Sequence, residues 1–253
     1  TLEDGTVLRD GVDMTPTVYY GVMARCHKLP TTSQPSPELF QRFFLEAAAA
    51  GDEVVGIFLS HELSGTCQCA RLAADMANVD NVLFVDSENV CLGESLLVRL
   101  AVQLRDAGKT AGQIAATLEH AKEHLHLVAV IDDLKYLRKG GRISGASALV
   151  GSLLQIKPIL RGNEEGKIVL FDKARGKLRA IERLVSIYKE RAIDLDDLIG
   201  ISHGDCPGEA LRLETKLREA GHRGPILLVP HEPVTGAHVG PGMLSLYFHA
   251  VGK

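Results

Sequence analysis

The sequence predicts an α/β fold in two domains, a parallel domain over residues 1–126 and a mixed-sheet domain over residues 127–253. Three observations predict it. The chain is 253 residues long, and domains run to roughly 100–200 residues. Short apolar runs alternate with segments of helical periodicity up to about residue 126, the pattern of parallel strands with crossover helices. Beyond it, Ile156 to Leu160 and Lys167 to Phe171 read as two strands joined by a polar turn holding Gly162, Asn163 and Gly166. Such a hairpin does not belong to a purely doubly wound sheet.

The opening reads as a hairpin, with the turn dipeptide Asp4-Gly5 between Thr1-Leu2 and Val7-Leu8. Ser36 is placed as an N-cap with Pro37 at the first helical position. Phe40, Phe43, Phe44 and Ala47 keep helical spacing, and Gly51 ends that helix. Val54 to Leu59 is too short and too β-branched for a helix, so it reads as a strand. The polar loop from Ser60 to Thr66 leads into a helix ending near Ala77, and Val82 to Val85 is a second strand. Leu96, Leu97, Leu100, Ala101 and Leu104 mark a helix, and Ile114, Leu118, Ala121 and Leu125 mark the next. In the second half, Leu127 to Ile131 reads as a strand. Short helices are expected over Asp132 to Leu137 and Ser147 to Leu154. A long helix carries Ile181, Leu184, Val185 and Tyr188, and another carries Ala210, Leu213 and Leu217. Leu198 to Ser202, Ile226 to Val229 and Leu244 to Phe248 complete the strands.

Composition narrows the function classes. Hydrophobic residues make up 45% and charged residues 24%, which excludes a disordered or fibrous chain. No apolar run approaches ~18 residues, the length of a membrane-spanning helix. With 28 basic against 32 acidic residues the net charge is −4, a poor basis for neutralising nucleic-acid phosphates. The five scattered cysteines fit reduced thiols in a cytoplasm better than a disulfide framework. No phosphate-binding Gly-rich motif of either common type is present, so a nucleotide site has no support.

Four loops carry residues able to do chemistry. Thr31-Thr32-Ser33-Gln34-Pro35 is hydroxyl-rich and stiffened by proline. Leu63-Ser64-Gly65-Thr66 sits after a strand and at a helix start, where free N–H groups suit an anion. Simple N-capping by Ser64 explains it as well. Lys139-Gly140-Gly141-Arg142-Ile143 offers a guanidinium on a bent backbone, either a bidentate anion ligand or an exposed basic turn. In the loop His238-Val239-Gly240-Pro241-Gly242 the imidazole either donates to an anion or is merely exposed. Ser64, His238 and Asp86 could form a hydrolytic triad, though no Gly-x-Ser-x-Gly elbow supports it. Cys67-x-Cys69 lacks the second pair a zinc site needs. The run from Lys173 to Arg179 reads as a solvated helix start or a docking patch for an acidic partner.

In this order, these segments resemble the DegV family of bacterial fatty-acid-binding proteins. The resemblance rests on Thr32-Ser33-Gln34-Pro35-Ser36, Leu63-Ser64-Gly65-Thr66, Asp133-Leu134-Lys135-Tyr136-Leu137 and Gly140-Gly141-Arg142-Ile143. It continues in Ile156-Lys157-Pro158-Ile159-Leu160, Lys173-Ala174-Arg175-Gly176 and Gly240-Pro241-Gly242, with Asp10-Gly11-Val12-Asp13 near the start. It implies a three-layer α/β/α domain, then a two-layer α/β domain, with a long-chain fatty acid in a tunnel between them. Thr32, Ser33, Ser64, Gly65, Thr66, Arg142 and His238 are then the expected carboxylate-binding positions. The implied role is that of a carrier without catalytic residues, metal or cofactor. It would present the carboxylate to a separate ATP-binding kinase subunit for acyl phosphate formation, with transient membrane contact. A stand-alone serine hydrolase acting on acyl esters through Ser64 and His238 is the alternative, and a DNA-binding regulator using Lys173 to Arg179 is a third reading. Family members start with a strand before the hairpin, so the resemblance also implies that one strand and one helix are missing here, on the order of thirty residues. The first sheet is accordingly expected to be one strand short, and the site one loop short. Cys67 and Cys69 stand where the family has an aromatic residue and a serine, which alters the pocket near the head group.

Overall fold

The computed structural model describes residues 1–143 and 155–252, and the helix expected over Ser147 to Leu154 lies outside them. The first half contains α1 (Pro16–Met23), α2 (Pro37–Ala50), β1 (Val54–Phe58), α3 (Thr66–Ala77), β2 (Val82–Asp86), α4 (Leu92–Asp106) and α5 (Ala111–Lys122). β1 and β2 pair in parallel, Val54 opposite Val82, with α3 as the crossover. The second half contains β3 (Leu125–Val130), α6 (Lys135–Gly140), β4 (Ile156–Gly162), β5 (Ile168–Arg175), α7 (Lys177–Arg191), β6 (Ile199–His203), α8 (Pro207–Glu219), β7 (Ile226–Pro230), α9 (Pro233–Val239) and β8 (Leu244–His249). Its mixed sheet has the order β5-β4-β3-β8-β6-β7. β6 and β7 are parallel, and the other pairings are antiparallel.

The central strands explain how one sheet serves two purposes. Every residue of β3 is buried, yet side chains alternate between faces. Val128 and Val130 pack with Leu184 of α7, Leu213 of α8 and Leu246 of β8 into one core. Leu125, Leu127, Ala129 and Ile131 face the other way, toward Leu97 of α4 and Leu118 of α5. β8 divides likewise, with Leu244, Leu246 and Phe248 in the first core and Tyr247 in the second. Strands covered on both faces lose the polar alternation of a half-exposed strand, which is why β3 reads as a continuous apolar run. A third cluster joins Phe44 of α2 to Phe58, Cys67, Ala70 and Val82.

Several expectations need correction. The Asp4-Gly5 turn forms, with Gly5 N–H donating to Leu2 O at 3.1 Å, but no strands flank it. Leu2 N–H donates to Thr6 O at 2.9 Å across the turn, and Thr31 N–H donates to Thr1 O at 3.0 Å, so the opening is also tied to the 31 loop. Ser36 holds the N-cap position of α2, but its hydroxyl makes no cap bond. Leu125, assigned to a helix, is the first residue of β3 and pairs with His249, because α5 ends at Lys122. A boundary between residues 126 and 127 therefore passes through a strand. Lys173 and Arg175 lie at the end of β5, not on a helix start, and α7 begins only after Gly176. Helices α1 and α9 escape the periodicity reading because each is at most 8 residues long. Their signal is Pro at the first helical position after Thr15 and Glu232.

Helices α1, α6 and α9 pack together through Tyr19, Tyr20, Met23, Tyr136 and Ala237. Gly240 closes α9 at φ 75°, ψ 176°, a region open essentially to glycine alone. A side chain there would also meet the Tyr136 ring at 2.3 Å. Gly240→Ala should therefore lower the unfolding free energy in urea by at least about 2 kcal/mol, through backbone strain and overpacking. A variant as stable as the parent would remove this glycine from the account.

Candidate functional site

A cavity of about 970 Å³ lies between the β1–β2 unit and the Leu127–Ala129 face of the mixed sheet, at the upper end of the range for ligand sites. Leu127, Ala129 and Ile131, all buried, line it from β3 and the residue after it, Leu160 from β4, and Tyr247 from β8. Leu59, Leu63 and Val90 come from the loops beyond the carboxyl ends of β1 and β2. Such loops build ligand sites in parallel sheets because neighbouring connections diverge there. Thr32, Ser33, Ser64, Gly65, Thr66, Arg142 and His238 all line this one cavity. The fold thus brings every expected carboxylate-binding position to a common space.

Within that group the polar atoms meet in pairs. Thr32 Oγ1 lies 2.7 Å from His238 Nε2, across 206 residues of sequence. Ser64 Oγ lies 2.8 Å from Thr66 Oγ1. Arg142 Nε donates to Leu63 O at 3.2 Å, and its Nη1 donates to Gly140 O. The remaining N–H groups of the five-donor fork are available to an anion. The 31–35 loop is itself fixed from α3, where the Cys69 thiol donates to Pro35 O at 3.5 Å.

Ser64 is not the N-cap of α3. Gly65 occupies that position, so the Ser64 hydroxyl is not consumed by the helix start. His238 is not a loop residue but lies in the last turn of α9. Its ring packs so closely on Gly140 that a Cβ there would stand 2.3 Å from Nδ1. Burial holds its pKa below the usual value, with the Arg142 charge acting in the same direction. The ring is therefore neutral near pH 7 and carries one N–H.

The triad does not assemble. Asp86 Oδ2 pairs with His61 Nδ1 at 2.6 Å, and His238 bonds Thr32 and not Ser64. Cys67 and Cys69 are buried within the first turns of α3.

Sequence reasoning missed a second polar group on the cavity wall, made of Cys91, His231, Thr235 and Ser245. Cys91 follows β2 and His231 follows β7, so the rule about carboxyl-end loops was a usable signal. Nothing in the linear sequence joins them.

A family model described as "Uncharacterised protein, DegV family" matches residues 2–251. A DegV domain-containing protein of Listeria monocytogenes is 35% identical over 249 residues, covering 96% of this chain and 86% of the relative. One from Caldanaerobacter subterraneus is 31% identical over 246 residues, covering 97% and 87%. Among solved structures, a fatty acid binding DegV family protein from Streptococcus agalactiae superposes with a TM-score of 0.87 at 30% identity, covering 99% of this chain and 88% of that one. DegV from Bacillus subtilis, described as a fatty acid binding protein, gives 0.84 at 28% identity, covering 99% and 89%.

Protonating His238 is opposed by burial and by Arg142, so its imidazole should titrate below the ordinary value of about 6.5 in an NMR pH series. Removing the guanidinium in Arg142→Gln should move that midpoint upward. An unshifted midpoint in the variant would show that the two side chains do not sense each other.

Proposed function

The chain belongs to the DegV family, and from that premise we propose that it binds a long-chain fatty acid and presents its carboxylate to a separate ATP-dependent kinase subunit. One observation carries the reading: a single cavity, aliphatic over most of its wall, gathers a hydroxyl–imidazole pair, a hydroxyl–hydroxyl pair and a guanidinium. A buried carboxylate needs donors, and an alkyl tail needs only apolar wall.

The donors can be assigned. If His238 Nε2–H donates to Thr32 Oγ1, the Thr32 O–H is free to donate to the ligand. If Thr66 O–H donates to Ser64 Oγ, the Ser64 O–H is likewise free. Arg142 supplies the opposite charge, anchored through Leu63 O. The tail supplies affinity at ~0.8 kcal/mol per buried CH₂, offset by the cost of association.

The kinase step fits the same geometry. Ser33, Gly65 and Arg142 are exposed, so a carboxylate held there remains within reach of a second protein. The sequence carries neither common Gly-rich phosphate-binding motif, which supports a phosphoryl donor held by a partner. In that transfer a carboxylate oxygen attacks the γ-phosphorus, the bond to ADP breaks, and the carrier keeps the acyl phosphate. Among the described residues no helix is long and apolar enough to cross a membrane.

Mass spectrometry of lipid extracted from the native protein should recover a long-chain fatty acid. Loss of one charge-assisted hydrogen bond costs about 1.5–3 kcal/mol, so Ser64→Ala should weaken oleate binding about tenfold or more. It should slow acyl phosphate formation with the kinase subunit and ATP to a matching degree. Absence of fatty acid, together with no binding of added oleate, would contradict the lipid reading. Tight oleate binding without any ATP-dependent phosphorylation would contradict only the kinase reading.

A further inference from the structure

The second polar group on the cavity wall has its own chemistry. Cys91 sits at the N-cap position of α4, beyond β2, at φ 57°, ψ −125°. That conformation costs a non-glycine residue on the order of 1–3 kcal/mol, and here it accompanies a thiol directed at the β7–α9 connection. Cys91 Sγ lies 3.5 Å from His231 Nε2 and 3.2 Å from Thr235 Oγ1. Thr235 Oγ1 also lies 2.7 Å from His231 Nε2 and 2.5 Å from Glu232 Oε1. One hydroxyl therefore touches a sulfur, an imidazole nitrogen and a carboxylate oxygen.

We propose that Cys91, His231 and Glu232, with Thr235 as a fourth ligand, form a binding site for one zinc-like divalent cation on the inner wall of the cavity. The ligand atoms of the first three lie within 4.8 Å of one another. In a tetrahedral zinc site, bonds of about 2.3 Å to sulfur and about 2.0–2.1 Å to nitrogen put those two atoms about 3.6 Å apart. The Cys91–His231 separation of 3.5 Å matches that edge. The contacts Thr235 now makes to His231 and Glu232 would lengthen to about 3.3 Å as metal bonds replace hydrogen bonds.

The surroundings fit a ligated histidine. His231 Nδ1 lies 2.9 Å from Ser202 Oγ, which lies 2.7 Å from Ser245 Oγ. With Nδ1–H donating to Ser202, the Nε2 lone pair faces the cluster, the outer-sphere arrangement that fixes tautomer and ring angle in metal sites. Charge also closes. One thiolate and one carboxylate offset a dication, so a neutral unit stands where His231 is 2% exposed and a net charge would be costly. A thiolate–imidazole–carboxylate set selects zinc, cobalt or a similar ion over magnesium or calcium, which prefer all-oxygen shells. On binding, the Cys91 S–H bond breaks, its proton passes to solvent and the sulfur–metal bond forms. The inference does not rest on the fatty-acid reading, because none of its ligands is in the Thr32–Ser64–Arg142–His238 group.

Cobalt(II) titration of the metal-stripped, delipidated chain tests it. The expected result is about one cobalt per chain, with a thiolate-to-cobalt charge-transfer band and release of a proton. The band should vanish in Cys91→Ser, and Ser202→Ala should bind about 10–100-fold more weakly, as loss of an outer-sphere partner does. Should Cys91→Ser fail to fold, Glu232→Gln gives the same test, with binding at least tenfold weaker. A parent chain without a thiolate band, a band surviving in Cys91→Ser, or unchanged affinity in both other variants would overturn the proposal.

Discussion

Two-sided burial of the central strands β3 and β8 is the constraint on which the rest of the structure depends. One face, carrying Val128, Val130, Leu244 and Leu246, is sealed by α7 and α8 into a dry core. The other face must also be covered, and α4 and α5 cover it only in part. Leu127, Ala129, Ile131 and Tyr247 therefore line an apolar cavity and not solvent. The sheet is at once a core wall and a cavity wall, and the same alternation of side chains produces both.

The polar side chains of the cavity follow from how it is closed. The 31–35 loop, the loop after β1, the end of α6 and the last turn of α9 converge on it, and each brings a polar side chain. The Thr32–His238 bond joins the first and last of these. Burial keeps His238 neutral, so it is a hydrogen-bonding partner of Thr32 and not a second cation beside Arg142. A neutral imidazole orients a hydroxyl without adding a charge that an empty cavity could not satisfy.

Much of this was legible in the sequence, for physical reasons. Val54 to Leu59 and the hairpin from Ile156 to Phe171 announced themselves because buried strands are apolar and turns are not. The order of motifs picked out Thr32, Ser64, Arg142 and His238, which the fold gathers on one cavity, since loops at strand ends converge whatever lies between them. Other features were hidden. Helix α9 is one short piece opened by proline, so His238 read as a loop residue. Capping by Ser64 stayed open as an alternative, because a one-residue shift of the helix start to Gly65 leaves no trace in the residue types. The Cys91–His231 contact spans 140 positions and depends on two strands ending side by side. No local pattern encodes it.

The central claim is that the Thr32, Ser64, Arg142 and His238 group, and not the Cys91–His231 wall, holds the carboxylate. A crystal structure of the chain with bound oleate tests it most directly. The account predicts carboxylate oxygens within about 3 Å of the Thr32 and Ser64 hydroxyls, with the alkyl chain running along Leu127, Ala129 and Ile131. A carboxylate found against His231 and Thr235, with the tail toward Thr32, would contradict it.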